Sequence, residues 1–142
     1  MPEQGRIVVA VDDSDAGKRA FWAALSLAKK LGSQLLVVSV IEDLVRTAGE
    51  TVGEVDESYE HSRDHFEWLQ RPMLERAGQE QVAATGHVLV GNVVERLVEF
   101  VREQAADLVV IGSLGRTHLL GLGGVKGYHI AEHAPCAVLI AK

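Results

Sequence analysis

Cysteine is nearly absent. Cys136 is the only one in 142 residues, so no disulfide can close within the chain. A reducing, cytoplasmic home is the expectation, because disulfide-stapled folds belong to oxidising compartments. Aromatic residues make up only 5% of the chain, so Val, Leu, Ile and Ala must fill the core. Basic residues are outnumbered, 14 Lys and Arg against 20 Asp and Glu, for a formal net charge of −6. That balance argues against a nucleic-acid binder, whose affinity rests on clustered Lys and Arg. It leaves room for a small anion held by backbone amides. No apolar run approaches the length that spans a bilayer. The opening MPEQGRIVVAVDDSD holds no long apolar segment with a cleavage site. Neither a membrane anchor nor a signal peptide is expected.

Several chemical signatures are missing as well. The run GLGGVKG contains Gly and Lys, but not at the G-x-x-x-x-G-K-S/T spacing of a P-loop. His61 and His65 stand i, i+4 on a charged stretch with Glu57 one turn earlier, yet there is no HExxH, and a solvated helix face is the expected reading. Ser14 lies in no G-x-S-x-G elbow, and helix capping accounts for it. Cys136 has no Cys/His/Asn constellation around it and reads as a buried structural thiol.

What is present is an alternation. The chain is 47% hydrophobic and 24% charged, the profile of a soluble globular protein, and its length fits a single domain over 1–142. RIVVAVDD (6–13), SQLLVVSVIED (33–43) and DLVVIG (107–112) are short continuous apolar runs, the pattern of strands buried on both faces. QVAATGHVLVG (81–91) is a weaker strand, expected near a sheet edge, and CAVLIAK closes the chain as a fifth. Between them lie helical stretches. The first has Ala16, Ala20, Ala23, Leu27 and Leu31 at helical spacing, Ser14 or Asp13 as N-cap and Gly32 as C-terminal stop. LVRTAGETVGEVD (44–56) shows no period and is expected to be a loop. A charged helix follows over 57–78, which Pro72 should kink or split, with Phe66 and Trp68 anchoring it to the sheet or to a partner. The next helix starts with Asn92 and Glu95 in a capping-box pattern and carries a Val94, Leu97, Val98, Val101 stripe. A short helix spans about 125–133.

Strands buried on both faces and alternating with helices predict an α/β fold with an open parallel sheet covered on both sides. Ligands of such sheets bind beyond the carboxyl ends of the strands, where the strand order reverses. Strands 1 and 4 end in VDDSD and GSLGRTH. If those strands are neighbours, the two stretches face one crevice. The segment GSLGRTHLLGLGGVKGY (112–128) holds six of the fourteen glycines, and glycines after a strand let a backbone approach a phosphate.

IVVAVDDSD, GNVVERLVEFVREQAADLVVIGSLGRTHL and EHAPCAVLIAK, in that order, resemble the universal stress protein family over nearly the whole chain. The resemblance implies a five-stranded parallel sheet of order 3-2-1-4-5 and, in many members, a homodimer paired through the last strand. One branch of the family binds ATP through Gly-x2-Gly-x9-Gly-Ser/Thr. Here Gly112, Ser113, Leu114 and Gly115 match the first half, followed by Arg116, Thr117 and His118. The HAPC signature at 133–136 puts Gly124 at the third glycine and Val125 at the Ser/Thr position. The loop is one residue short and lacks the hydroxyl. Backbone amides could still cradle a phosphate, with Lys126 as a compensating charge. By the same matching, Ala10 and Asp12 approach the nucleotide from strand 1, Asp12 facing ribose or a phosphate-bound metal unless it caps helix 1. The backbone of Val40 meets the adenine edge. Asp13 stands where many members have glycine, and a second carboxylate opposes a triphosphate unless Mg bridges the two.

The implied function is a cytoplasmic stress protein binding ATP or another adenine nucleotide as a regulatory ligand. No general base is visible, so slow hydrolysis at most is expected. The alternative is a dimeric interaction module without nucleotide, in which the segment 42–78 meets a protein partner.

Overall fold

The computed structural model describes residues 4–42, 52–113 and 124–142, with the backbone alone for 52–58, 124 and 125. Five strands alternate with four helices: β1 (Arg6–Ala10), α1 (Asp15–Leu31), β2 (Gln34–Glu42), α2 (Val52–Gln79), β3 (Ala84–Gly91), α3 (Val93–Glu103), β4 (Leu108–Gly112), α4 (Gly124–His133) and β5 (Ala137–Ala141). The strands form one parallel sheet in the order β3-β2-β1-β4-β5. β1 is central, with Ile7 in register with Leu35 on one side and Leu108 on the other.

The period-2 alternation of a strand explains the continuous apolar runs. Ile7, Val9 and Val11 point to one face, where they meet Phe21 and Leu25 of α1 and Leu69 and Met73 of α2. Val8 and Ala10 point to the other, toward Leu97 and Val101 of α3 and Ile130 of α4. Each large side chain so buried contributes about 1.5–3 kcal/mol. β3, an edge strand, is mostly half-exposed, as its weaker pattern implied.

Four expectations need correction. The stripe of α1 is rotated by one residue: Ala20, Phe21, Ala24, Leu25 and Ala28 are buried, whereas Leu31 is 67% exposed. The alanines at 16, 20 and 23 looked like a stripe only because alanine suits either face. In α3, Val93 and Phe100 join the buried set. The presumed loop over 44–56 is helical from Val52, in an acid-rich stretch (Glu54, Asp56, Glu57) suited to a helix N-terminal region. Pro72 lies inside α2 without splitting it. Pro72 and Trp68 are both exposed, so water can satisfy the carbonyl that loses its amide partner.

The two aromatics of α2 divide between the sheet and solvent. Trp68 is 64% exposed, and only Phe66 of the two aromatics packs on the core. A buried polar bridge adds to Leu69 and Met73. Gln70 Nε2 donates to Ser39 Oγ at 2.9 Å and to the His87 carbonyl at 3.1 Å, while Ser39 Oγ donates to the Val11 carbonyl at 2.9 Å. A Cβ on Gly86 would come within 2.6 Å of Gln70 Oε1, so glycine there admits the bridge. Cys136 is half-buried; desolvation first, then the Asp107 charge, pushes its thiol pKa up.

Candidate functional site

β1 and β4 are neighbours, so the stretches after them share the carboxyl edge of the sheet. The turn after β1 is held by its own side chains. Asp12 Oδ1 accepts from the Ser14 amide at 2.9 Å and from the Ser14 hydroxyl. Ser14 Oγ in turn accepts from the Gly17 amide at 3.0 Å and caps α1. One Asp12 oxygen therefore serves the cap, the simpler of the two roles open to it. A Cβ on Gly17 would lie within 2.8 Å of the Asp12 backbone, so the turn folds tightly onto the helix. Asp13 is exposed and pairs with His65 Nε2 at 3.3 Å, drawing α2 over the end of β1.

A pocket of about 210 Å³ opens above this turn. Ala10, Val38 and Val40 form an apolar base, Phe66 and Val93 its walls, and Asp12, Asp13 and Glu42 an acidic rim. Such a slot suits a flat, uncharged ring whose hydroxyls reach the carboxylates, and it repels a bare anion. Ala10, Asp12 and Val40 are thus brought together.

Gly112 and Ser113 have roles in the sheet itself. A Cβ on Gly112 would run into the Ala16 carbonyl and lie 2.9 Å from the Ala16 side chain, so glycine lets α1 close on β4. The Ser113 amide donates to the Ala141 carbonyl at 2.8 Å. Gly115, Arg116, Thr117 and His118 lie outside the described residues. Gly124 and Val125 open α4, whose first turn carries no acidic residue. Lys126 points across the mouth of the crevice and pairs with Glu42 at the end of β2. The two line a second hollow of about 780 Å³ with Asn92, Arg96 and His129, and this hollow shares Glu42 and Val93 with the apolar slot.

Sequence reasoning missed Glu42, His65, Phe66 and Val93 as lining residues. Glu42 had a signal, since it is an acid at the carboxyl end of a buried strand, as Asp12 is. His65 and Phe66 had none, because their place depends on how a distant helix crosses the sheet.

The sheet order, with its reversal between β1 and β4, defines a Rossmann-like α/β protein. The family model for the universal stress protein family matches residues 4–142, and the chain belongs to that family. A universal stress protein of Thermus aquaticus is 33% identical, covering 96% of this chain and 97% of its own. One of Synechocystis sp. is 28% identical, covering 97% of each. The universal stress protein from Lactobacillus plantarum superposes with a TM-score of 0.85 over 100% of both chains at 18% identity. Among other similar structures, one is a universal stress protein in complex with cAMP (TM-score 0.71, 24% identity, 99% and 98% covered). Another, from Archaeoglobus fulgidus, is in complex with dAMP (0.67, 23%, 100% of both). A third, from Arabidopsis thaliana, has AMP bound (0.73, 17%, 97% and 91%). No helix among the described residues is long and apolar enough to cross a membrane.

Proposed function

We propose that this protein binds an adenine nucleotide as a regulatory ligand in a stress response. The observation that carries this reading is the apolar slot of Ala10, Val38 and Val40 beside the acid-free first turn of α4. The base enters the slot, the ribose hydroxyls meet Asp12 or Glu42, and the phosphate turns toward the amides of Gly124 and Val125 and toward Lys126. Helix amides and dipole favour an anion there. The acidic rim favours one phosphate over three unless Mg intervenes between Asp12, Asp13 and a triphosphate. The AMP, dAMP and cAMP complexes of similar structures agree with that preference. Gly112, Ser113, Gly115, Arg116, Thr117 and His118 complete the phosphate side by their match to the family motif. No catalytic base is assigned, and turnover is at most slow.

A homodimer belongs to the same reading. β5 is an edge strand, and its Ile140 is 47% exposed. Two copies pairing antiparallel through β5 would remove both open edges. Val138→Pro should weaken the dimer in light scattering, by removing a ladder donor. A wild-type monomer at micromolar concentration would defeat the proposal. A cytoplasmic location rests on the lone cysteine alone.

The nucleotide is tested by heating purified protein, identifying released molecules by mass spectrometry, and titrating AMP, cAMP and Mg–ATP by calorimetry. Gly115→Val should abolish binding, and Val125→Ser should tighten it by about 1 kcal/mol, the net value of one hydrogen bond. An empty protein that binds none of the three at millimolar nucleotide overturns the reading. The interaction module then takes its place, and it has one observation behind it. A groove of about 520 Å³ runs between α1 and α2, flanked by Trp22 and Trp68, 50% and 64% exposed.

A further inference from the structure

Away from the slot, α4 turns three metal-ligating side chains to solvent. His129, Glu132 and His133 are all exposed, and one ligand atom from each lies within 4.8 Å of the others. The two imidazoles stand one turn apart, nearly parallel at 17°, with centroids 6.4 Å apart. Ile130, next to His129 in the chain, is fully buried in the core, so the backbone that carries the triad is fixed by packing. Among the described residues none of the three is engaged in an ion pair. The cations closest in the chain and across the hollow are engaged elsewhere: Lys126, one turn before His129, pairs with Glu42, and Arg96 of α3 is tied to Glu99 at 2.7 Å.

We propose that His129, Glu132 and His133 form a binding site for a divalent transition-metal ion of the zinc type. Two imidazole nitrogens and one carboxylate oxygen are a donor set suited to such ions. Mg²⁺ and Ca²⁺ want mostly oxygen ligands and would find one carboxylate. Ligand atoms on one zinc sit about 3.0–3.5 Å apart, given bonds of about 2.0–2.2 Å. Exposed side chains on adjacent turns close that gap by rotation about their χ angles, with the helix unmoved. Water or an outside ligand fills the remaining position. His129 also lines the hollow beside Lys126, so that position lies near the crevice mouth.

The other histidine pair at this spacing, His61 and His65 on α2, differs: His65 is held by Asp13. The contact with Asp13 thus separates the pair on α2 from the pair on α4, which has no ion-pair partner among the described residues.

The test is calorimetric titration of untagged, nucleotide-free protein with Zn²⁺, with Mg²⁺ as competitor. One zinc per chain is expected, undisturbed by Mg²⁺. His129→Ala and His133→Ala should each weaken binding at least about tenfold, the loss that even an outer-sphere partner causes. Glu132→Gln should weaken it less. His61→Ala and Cys136→Ser should leave it unchanged, and circular dichroism should show all variants folded. No saturable binding below millimolar zinc, or unchanged affinity in the His129→Ala/His133→Ala double variant, overturns the proposal. Because no nucleotide is present, either result leaves the adenine-nucleotide reading untouched.

Discussion

Helices α1 and α4 both begin at the carboxyl edge of the sheet, and they begin in opposite ways. At α1, Ser14 caps the first turn, Asp15 sits inside it and Asp12 locks the cap. Its positive end is already answered by the chain's own oxygens. At α4 the first turn holds no acid and carries Lys126. An anion would be repelled from the first and drawn to the second. α3 sides with α1: Asn92 caps it by accepting from the Glu95 amide, with Glu95 in the first turn. Of the starts of α1, α3 and α4, only that of α4 has no acid of its own in the first turn. The capping that makes α1 and α3 stable is also what removes them as anion sites.

The strongest way to break this comparison acts on the seam between the two regions. Gly112→Val pushes a side chain into the Ala16 backbone and should cost about 3 kcal/mol, at the upper end for overpacking. Urea unfolding would show it as a lower midpoint, and an unchanged midpoint would mean that α1 does not close on β4 as described. Next come the two partners at the mouth. Lys126→Ala should weaken AMP binding about tenfold, or about 1.4 kcal/mol. Glu42→Gln, which releases Lys126, should tighten binding by a smaller factor. If both variants shift affinity the same way, Lys126 is not the phosphate partner. Ser14→Ala should cost about 1 kcal/mol of stability through the lost cap while leaving AMP affinity nearly unchanged. A large loss of affinity would give α1 a direct part in the site.

Two smaller effects follow from pKa shifts away from the site. Burial lowers the His87 pKa below its ordinary 6.5, and the ring packs 4.9 Å from that of Phe100. The folded chain holds this proton less tightly than the unfolded one. Stability from this group is therefore complete above 6.5 and is lost as the pH falls through the lower folded value. His87→Leu should flatten that part of a stability–pH curve, and an unaltered slope would assign it elsewhere. The raised Cys136 pKa keeps the thiol protonated at neutral pH. Its reaction with a disulfide reagent should be slower than that of a free thiol, and recover on unfolding in urea.

Much of the fold was legible in the chain. The alternation of apolar runs with helical stretches, the caps at Ser14, Gly32 and Asn92 and the edge character of β3 are local features, decided within a few residues. Ala10, Asp12 and Val40 were placed near one another by their match to the family, which also supplied the strand order. The stripe of α1 was misplaced because alanines and a glycine serve either face, and only the fit against β1 and β4 chose Phe21 and Leu25. Pro72 was expected to kink or split its helix; α2 is not split there, and the exposed position lets water replace the missing bond. Gly112 looked like a phosphate glycine, and its contact with Ala16, ninety-six positions away, gives it a packing reason that no local pattern could reveal.

By itself, the sequence determined the element order, the parallel sheet and the residues at each strand's carboxyl end, because hydrophobic period and capping act over short separations. Tertiary structure alone decided that Glu42 meets Lys126, that His65 meets Asp13 and that Gln70 bridges Ser39 to His87. Those pairs are 84, 52, 31 and 17 positions apart. Partners at such separations are chosen by how the helices cross the sheet, and that crossing depends on the packing of two cores at once.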